Sequence, residues 1–386
     1  MDDTVFHSYF MGGFECSTKQ RSDGVRLDLL EGTKHARHAC SDYRAMLRHG
    51  LATVRDGLRW HLIEASPYRF DWSSFLPMLR ASVQAGVQPI WDLCHYGWPS
   101  HIDIWSDEFP DRFARFAAAA ARLVRDESDA PPLYCPINEI SFWAWAGSDL
   151  RLFAPCAGGR GPELKRQLVR SAVRAIQAIR NVEPRARFVQ AEPVIHIVGQ
   201  PPHSQAEVEG LRLAQYEAWD MLAGMRDPEL GGGPDCLDIL GVNYYPYNQW
   251  FHLGPPLDRG DPAYRPFRQL LEETYRRYGR RLIVSETGAE GDMLRPWFRY
   301  VCDEVWAARQ RGVPVDGVCL YPVTDYPGWD DGRHCPCGLL GYPDEGGGRP
   351  VNKEMAAELA LQQQRFGAPS RLRTSGHKAF QASTYF

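Results

Sequence analysis

Apolar positions along this chain come in two alternating kinds. Short runs rich in β-branched and aromatic residues predict strands over Tyr9–Glu15, Leu51–Trp60, Val87–His95, Leu133–Glu139, Arg187–Glu192, Leu237–Tyr245, Arg281–Glu286 and Asp316–Tyr321. Longer stretches with a helical apolar period separate them, among them Ser73–Ala85, Asp111–Asp126, Glu163–Asn181, Glu207–Met225, Pro266–Tyr278 and Leu294–Arg311. In one of these, Phe113 and Phe116 stand three residues apart and lead into an alanine run, which favours a helix by both pattern and propensity. Gly86, Gly279 and Gly312 each follow a helical stretch, where a left-handed residue closes the last turn.

Eight strands alternating with helices predict an α/β protein built as a single (β/α)8 barrel, here spanning residues 1–366, with a polar tail over 367–386. A doubly wound sheet is the alternative. It would carry a glycine-rich phosphate loop after its first strand, but that strand leads into Met11-Gly-Gly-Phe-Glu-Cys16, which lacks the spacing. No internal repeat or linker divides the chain, and Gly199–Glu207 and Gly231–Asp235 read as decorating loops.

Composition narrows the function. Hydrophobic residues make up 44% and charged residues 24%, which excludes a disordered chain. A formal net charge of −4 provides no positive field for nucleic acid, so no nucleic-acid partner is expected. No run approaches the length of a membrane span, and Met1-Asp2-Asp3-Thr4 does not open an export leader, so neither membrane insertion nor secretion is expected. The ten cysteines are scattered, which fits reduced thiols in the cytoplasm. Cys335 and Cys337 beside His334 lack a second ligand pair, so no metal and no cofactor are expected. Aromatic residues reach 12%, more than a core requires, and hint at a ligand with apolar faces and polar edges.

Barrels place their chemistry at the C-terminal strand ends. Those ends offer Glu15 and Gln20, Arg55, His95, Asn138 with Glu139, Glu192, Asn243 with Tyr245, Glu286, and Tyr321 leading to Trp329. Glu139 and Glu286 fall at strands four and seven, on nearly opposite sides of one mouth. Such a carboxylate pair suits glycosidic cleavage, one group protonating the leaving oxygen and the other attacking or activating water; a gap of about 5–5.5 Å means retention and about 6.5–9.5 Å inversion.

Six segments carry a resemblance. Asn138-Glu139 resembles an Asn-Glu-Pro motif with Ile140 in the proline position, and Ser285-Glu286-Thr-Gly resembles Thr-Glu-Asn-Gly. Arg55-Asp-Gly-Leu-Arg-Trp60 resembles Arg-Phe-Ser-Ile-Ser-Trp, and His95-Tyr-Gly-Trp-Pro99 resembles His-Trp-Asp-Leu-Pro. Leu240-Gly-Val-Asn-Tyr-Tyr245 resembles Leu-Gly-Ile-Asn-Tyr-Tyr, and Gly13-Phe14 followed by Gln20 resembles a strand-one sugar-binding segment. In this order, over roughly residues 10–335, they resemble clan A glycoside hydrolases, most of all the family 1 β-glucosidases and β-galactosidases.

The resemblance implies a retaining β-glycoside hydrolase or transglycosylase acting on a small glycoside or oligosaccharide. Glu139 would be the acid/base and Glu286 the nucleophile, held ionised and oriented by Arg55 and Tyr245. Asn138 would bind the sugar 2-hydroxyl, with Gln20, His95 and Asn243 also at the sugar and Tyr321 and Trp329 as its stacking floor. Two departures stand out. Gly328 replaces the glutamate that in the family grips the 4- and 6-hydroxyls, and Tyr321 replaces a tryptophan. The missing glutamate before Trp329 and the altered flank Ile140 motivate the rival reading, a carbohydrate-binding barrel without catalysis. A metal-dependent barrel hydrolase using His95, His196 and Asp325 is a third, but these residues lack ligand spacing.

Overall fold

Alternation of side chains across each strand builds the centre of the molecule. In the computed structural model, which describes residues 5–367, eight parallel strands close into a barrel. They are β1 (Phe10–Gly13), β2 (Thr53–Gly57), β3 (Gln88–Asp92), β4 (Leu133–Cys135), β5 (Arg187–Pro193), β6 (Ile239–Asn243), β7 (Leu282–Thr287) and β8 (Val315–Leu320). Each pairs with its sequence neighbour, and β1 pairs with β8 to close the ring. The expected (β/α)8 barrel is therefore the observed fold.

One set of positions fills the interior, including Met11, Ile90, Leu133, Val189, Ile239, Ile283 and Cys319. The alternate set, including Phe10, Val54, Trp91, Tyr134, Phe188, Leu240, Val284 and Val318, packs outward beneath the helices. Both sets are buried, so the strands read as near-continuous apolar runs rather than as alternating ones. No helix among the described residues is long and apolar enough to cross a membrane.

The apolar runs overshoot the ladders. The run Leu133–Glu139 holds a ladder only to Cys135, because Pro136 has no N–H to donate. Beyond it the chain stays pinned by single bonds, from Asn138 N to the Cys94 carbonyl (3.0 Å) and from Glu139 N to the Ala191 carbonyl (2.9 Å). Helices cover Leu76–Ala85, Phe109–Glu127, Gly161–Val182, Phe267–Tyr278 and Leu294–Gln310, and Gly86, Gly279 and Gly312 take the expected left-handed conformation after them. The expected single helix over Glu207–Met225 is divided into Gln205–Leu213, a tight turn at Ala214–Tyr216 and Glu217–Leu222. At the break the Gln215 amide bonds both backbone groups of Ile195 and the Arg212 carbonyl, which anchors the turn to the end of β5. Two further helices, His35–Arg48 and Lys353–Arg365, join those expected. The expected tail over 367–386 lies outside the described residues except for Gly367.

The helix His35–Arg48 is fastened to the barrel by charge. His35 is fully buried, with Nδ1 2.7 Å from Asp42 Oδ2 and Nε2 2.8 Å from Asp56 Oδ2 on β2. Tyr43 Oη donates to the same Asp56 oxygen at 2.5 Å, and Arg349 donates to both oxygens of Asp42 at 2.7 and 2.9 Å. Burial works against the imidazolium, but the Asp56 charge and the hydrogen bonds to both aspartates outweigh it and push His35 up to about 9. The folded value lies above the ordinary 6.5, so this stabilisation is complete below pH 6.5 and disappears as pH rises through about 9. Urea unfolding is expected to show roughly 2–3 kcal/mol less stability at about pH 10 than at pH 6.5. In His35→Gln the protein should be weaker at pH 6.5 and nearly flat across that window.

Candidate active site

The interior positions turn polar at the C-terminal end of the barrel. On β2 the pleat that sends Val54 outward sends Arg55 inward, where it is 1% exposed. Register sets it between Gly13 of β1 and Ile90 of β3. Gly13 must be glycine, since a Cβ there would lie 2.1 Å from the Tyr321 ring that crosses it. The Arg55 fork uses all its arms. Nε and Nη2 donate to the two oxygens of Asp92 on β3 at 2.9 and 2.7 Å, and Nη2 also reaches Asn138 Oδ1 at 2.6 Å. Nη1 donates to Glu286 Oε1 at 2.6 Å and to the Ser285 carbonyl at 3.3 Å.

Strand β7 brings two consecutive polar residues to the same mouth, which a regular pleat cannot do. Val242 pairs with Val284 but Asn243 with Glu286; on the other side Val318 pairs with Val284 but Leu320 with Thr287. Strand β7 thus holds one residue more than either neighbour over this stretch, a bulge that re-aims its side chains. Ser285 Oγ donates to Asn243 Oδ1 at 2.5 Å, while Glu286, 4% exposed, meets Arg55 and accepts from Tyr245 Oη at 2.8 Å. Burial pushes the Glu286 carboxyl up, opposed by the Arg55 charge and reinforced by that of Glu139, to about 7. Burial and the charges of Glu286 and Glu139 hold the Tyr245 phenol well above its usual range, so it remains a donor.

Past β4 the chain turns sharply. Glu139 adopts φ 45° and ψ 60°, a left-handed conformation that costs a non-glycine residue about 1 kcal/mol or more, and Tyr96 beyond β3 has φ 65°. The two strained residues meet: Tyr96 Oη donates to Glu139 Oε2. Asn243 Nδ2 donates to Glu139 Oε1 at 3.0 Å. Asn138 completes the circuit, its amide lying 2.9 Å from His95 Nε2 and donating to Tyr96 Oη at 3.0 Å. Burial disfavours the His95 cation, but the hydrogen bond to Asp92 (3.0 Å) and the charges of Glu15, Asp92 and Glu286 raise it above its ordinary value. A continuous path therefore runs from Glu286 through Arg55, Asn138 and Tyr96 to Glu139.

Of the residues singled out in the sequence, Arg55, His95, Asn138, Glu139, Asn243, Tyr245 and Glu286 are joined in this network. Tyr321 lies deeper, 1% exposed, with Arg55 5.4 Å over its ring. Trp329 is half-buried near Tyr96, and the Lys19 ammonium sits 3.3 Å over its ring. Gln20 turns away: its side chain donates to the Gly24 carbonyl at 3.0 Å, closing a local loop. Glu192 lies behind Glu139 and accepts from Ser141 N at 3.0 Å. Burial, aided by the Glu139 charge, pushes it up to about 8. The residues Asp92, Tyr96 and Ser285 were not singled out in the sequence. Tyr96 had no signal, since its left-handed turn is invisible without coordinates.

Among the described residues, one group could offer metal ligands within reach of each other, Cys16, Asp92 and His95. It fits a proton-bonded network better. Both Asp92 oxygens already accept from the Arg55 cation, and burial together with the Asp92 charge keeps the Cys16 thiol protonated. Cys335 and Cys337 belong to a small hairpin in which His334–Cys335 pairs with Tyr326–Pro327, and His334 bonds Asp325 at 2.8 Å.

Known structures share the fold of this chain. No family model and no curated protein sequence matches the chain. Solved structures do. A β-glucosidase from Thermotoga maritima in complex with glucoimidazole superposes with a TM-score of 0.76 at 14% identity, covering 93% of this chain and 98% of the other. The β-glycosidase of the hyperthermophile Thermosphaera aggregans gives 0.70 at 17%, covering 86% and 85%. A Thermotoga maritima β-glucosidase in complex with deoxynojirimycin gives 0.71 at 15%, covering 92% and 97%. The fold is the one those enzymes share.

The network makes two separable demands on the chain. Arg55→Met leaves Asp92 and Glu286 buried without their cation, and urea unfolding is expected to show a loss of about 3–5 kcal/mol. Tyr245→Phe removes one neutral donor and should cost about 1–2 kcal/mol at most, while carbon-detected NMR finds the Glu286 carboxyl titrating about one pH unit higher.

Proposed function

We propose that the protein is a retaining β-glycoside hydrolase, with Glu286 as nucleophile and Glu139 as acid/base. One observation carries this reading: two buried carboxylates face one barrel mouth and are held in opposite ways. Glu286 touches the Arg55 cation, which favours its anion. Glu139 accepts from two neutral donors, Asn243 and Tyr96, and meets no cation among the described residues. The likeness in fold to β-glucosidases supports a glycoside as substrate.

In the reaction, a Glu286 oxygen attacks the anomeric carbon as the glycosidic bond breaks, and Glu139 gives its proton to the departing oxygen. Water then attacks the anomeric carbon. Glu139 takes its proton, the bond to Glu286 breaks, and the sugar leaves with its original configuration. Asn138, fixed by Arg55 and His95, would bond the hydroxyl next to the anomeric carbon. Transfer to a sugar hydroxyl in place of water would use the same intermediate. The ten cysteines, none of them paired in a disulfide, suit a reducing, cytoplasmic setting.

Release of an aryl β-glycoside chromophore tests the assignment. Glu286→Ala is expected to abolish turnover, and Glu139→Gln to lower kcat by about 10²–10⁴-fold for glycosides with poor leaving groups. Because Glu286 acts as an anion and its carboxyl is raised by burial, kcat/KM should fall on acidification at a pH above the ordinary carboxylate range. Equal rates in wild type and Glu286→Ala would overturn the assignment, and binding without turnover across a broad panel would instead establish the carbohydrate-binding barrel.

A further inference from the structure

The proposed chemistry leaves two buried charges at the same mouth without a task. Phe14 stacks on His35, and Glu15 follows it two residues past the end of β1. Glu15 is 4% exposed; its Oε1 accepts from Ser17 N at 3.0 Å, and its Oε2 has no partner among the described residues. The chain around it touches the same mouth: Cys16 Sγ lies 3.2 Å from His95 Nδ1 and Thr18 N donates to the His95 carbonyl at 3.0 Å, and the Glu15 charge acts on His95, Tyr96, Tyr245 and Tyr321. Lys19 is 3% exposed and lies over Trp329, with no hydrogen-bond or ion-pair partner among the described residues. Opposite charges in an apolar setting normally close into contact, because an unpaired buried charge is costly. These two act on each other's field yet stay more than 4.0 Å apart.

A separated acceptor and donor match a hydroxyl group, which can give a hydrogen to Glu15 while accepting one from Lys19. They do not match an acid, since an incoming carboxylate or phosphate would meet Glu15 beside Glu139 and Glu286. Burial pulls Lys19 down to about 8, opposed by the charges of Asp330 and Glu15, so the ammonium persists at neutral pH. Resting on the glycosidase reading above, we infer that Glu15 and Lys19 grip hydroxyl groups of the bound sugar and select a neutral, fully hydroxylated ring over its deoxy and acidic counterparts. A site built this way rejects an analogue lacking the hydroxyl strongly, because its own buried groups are left unpaired.

The test compares kcat/KM for the aryl β-glycoside turned over fastest with its 4-deoxy and 6-deoxy analogues, using the full chain and the variants Lys19→Met and Glu15→Gln. Wild type is expected to favour the parent over at least one analogue by about 100-fold or more. Each variant should bring that ratio to within about tenfold, chiefly by losing rate on the parent. Equal losses on parent and analogues would overturn the grip, as would a wild-type preference for a uronide or a 6-phosphoglycoside that vanishes in Lys19→Met. Should wild type turn over no glycoside, the proposed function fails by itself, and calorimetry with the monosaccharide decides the grip. Binding weakened both by the deoxy sugar and by Lys19→Met upholds it; no binding, or binding indifferent to both changes, overturns it.

Discussion

The Arg55 guanidinium is the interaction on which the rest of the mouth depends. It is buried among strands that begin far apart in sequence and touches three of them besides its own: Asp92 on β3, Asn138 after β4, and Ser285 with Glu286 on β7. A lysine could not replace it, since only a planar fork reaches a bidentate carboxylate and further acceptors at once. Its charge also decides which anions the interior tolerates. Burial would raise Asp92, yet Arg55 and His95 hold it below the usual carboxylate range, so this pair forms a fixed base on which Glu286 adds a second negative charge.

From that base the two carboxylates diverge through backbone geometry. The bulge in β7 lets Ser285 and Glu286 serve the same mouth, one steadying Asn243 and the other facing Arg55. Asn243 in turn holds Glu139, so the extra residue in β7 shapes the surroundings of both acids. The left-handed turns at Tyr96 and Glu139 are compensated by hydrogen bonds that over-determine them, which is how strained residues persist at working sites.

Much of this was legible in the sequence because the barrel repeats its pattern: the short apolar runs mark the strands, and polar residues directly after them mark the mouth. Arg55, Asn138, Glu139, Tyr245 and Glu286 stood at such ends. Where polar residues face inward the pattern fails. The helix His35–Arg48 buries His35 and Asp42 beside Ala39, Tyr43 and Met46, so charged residues interrupt its apolar stripe. Gln20 matched by spacing alone, but a local loop claims its amide, while Glu15 and Lys19 take the inward places. Spacing counts residues; it does not say which way the chain leaves a strand.

The same division explains how a common fold accompanies 14–17% identity with solved β-glucosidases. The barrel interior and the layer beneath the helices need only apolar residues of suitable volume, and such cores tolerate wide exchange. The polar mouth is different. Each group there satisfies another, so a partly completed network is worse than none. In this chain the constraint falls on about a dozen side chains around Arg55. Glu15 and Lys19 are the exceptions within it, buried like the others yet forming no ion pair with each other among the described residues. Buried charges held apart in this way are costly, and only the stability of the rest of the fold can bear that cost.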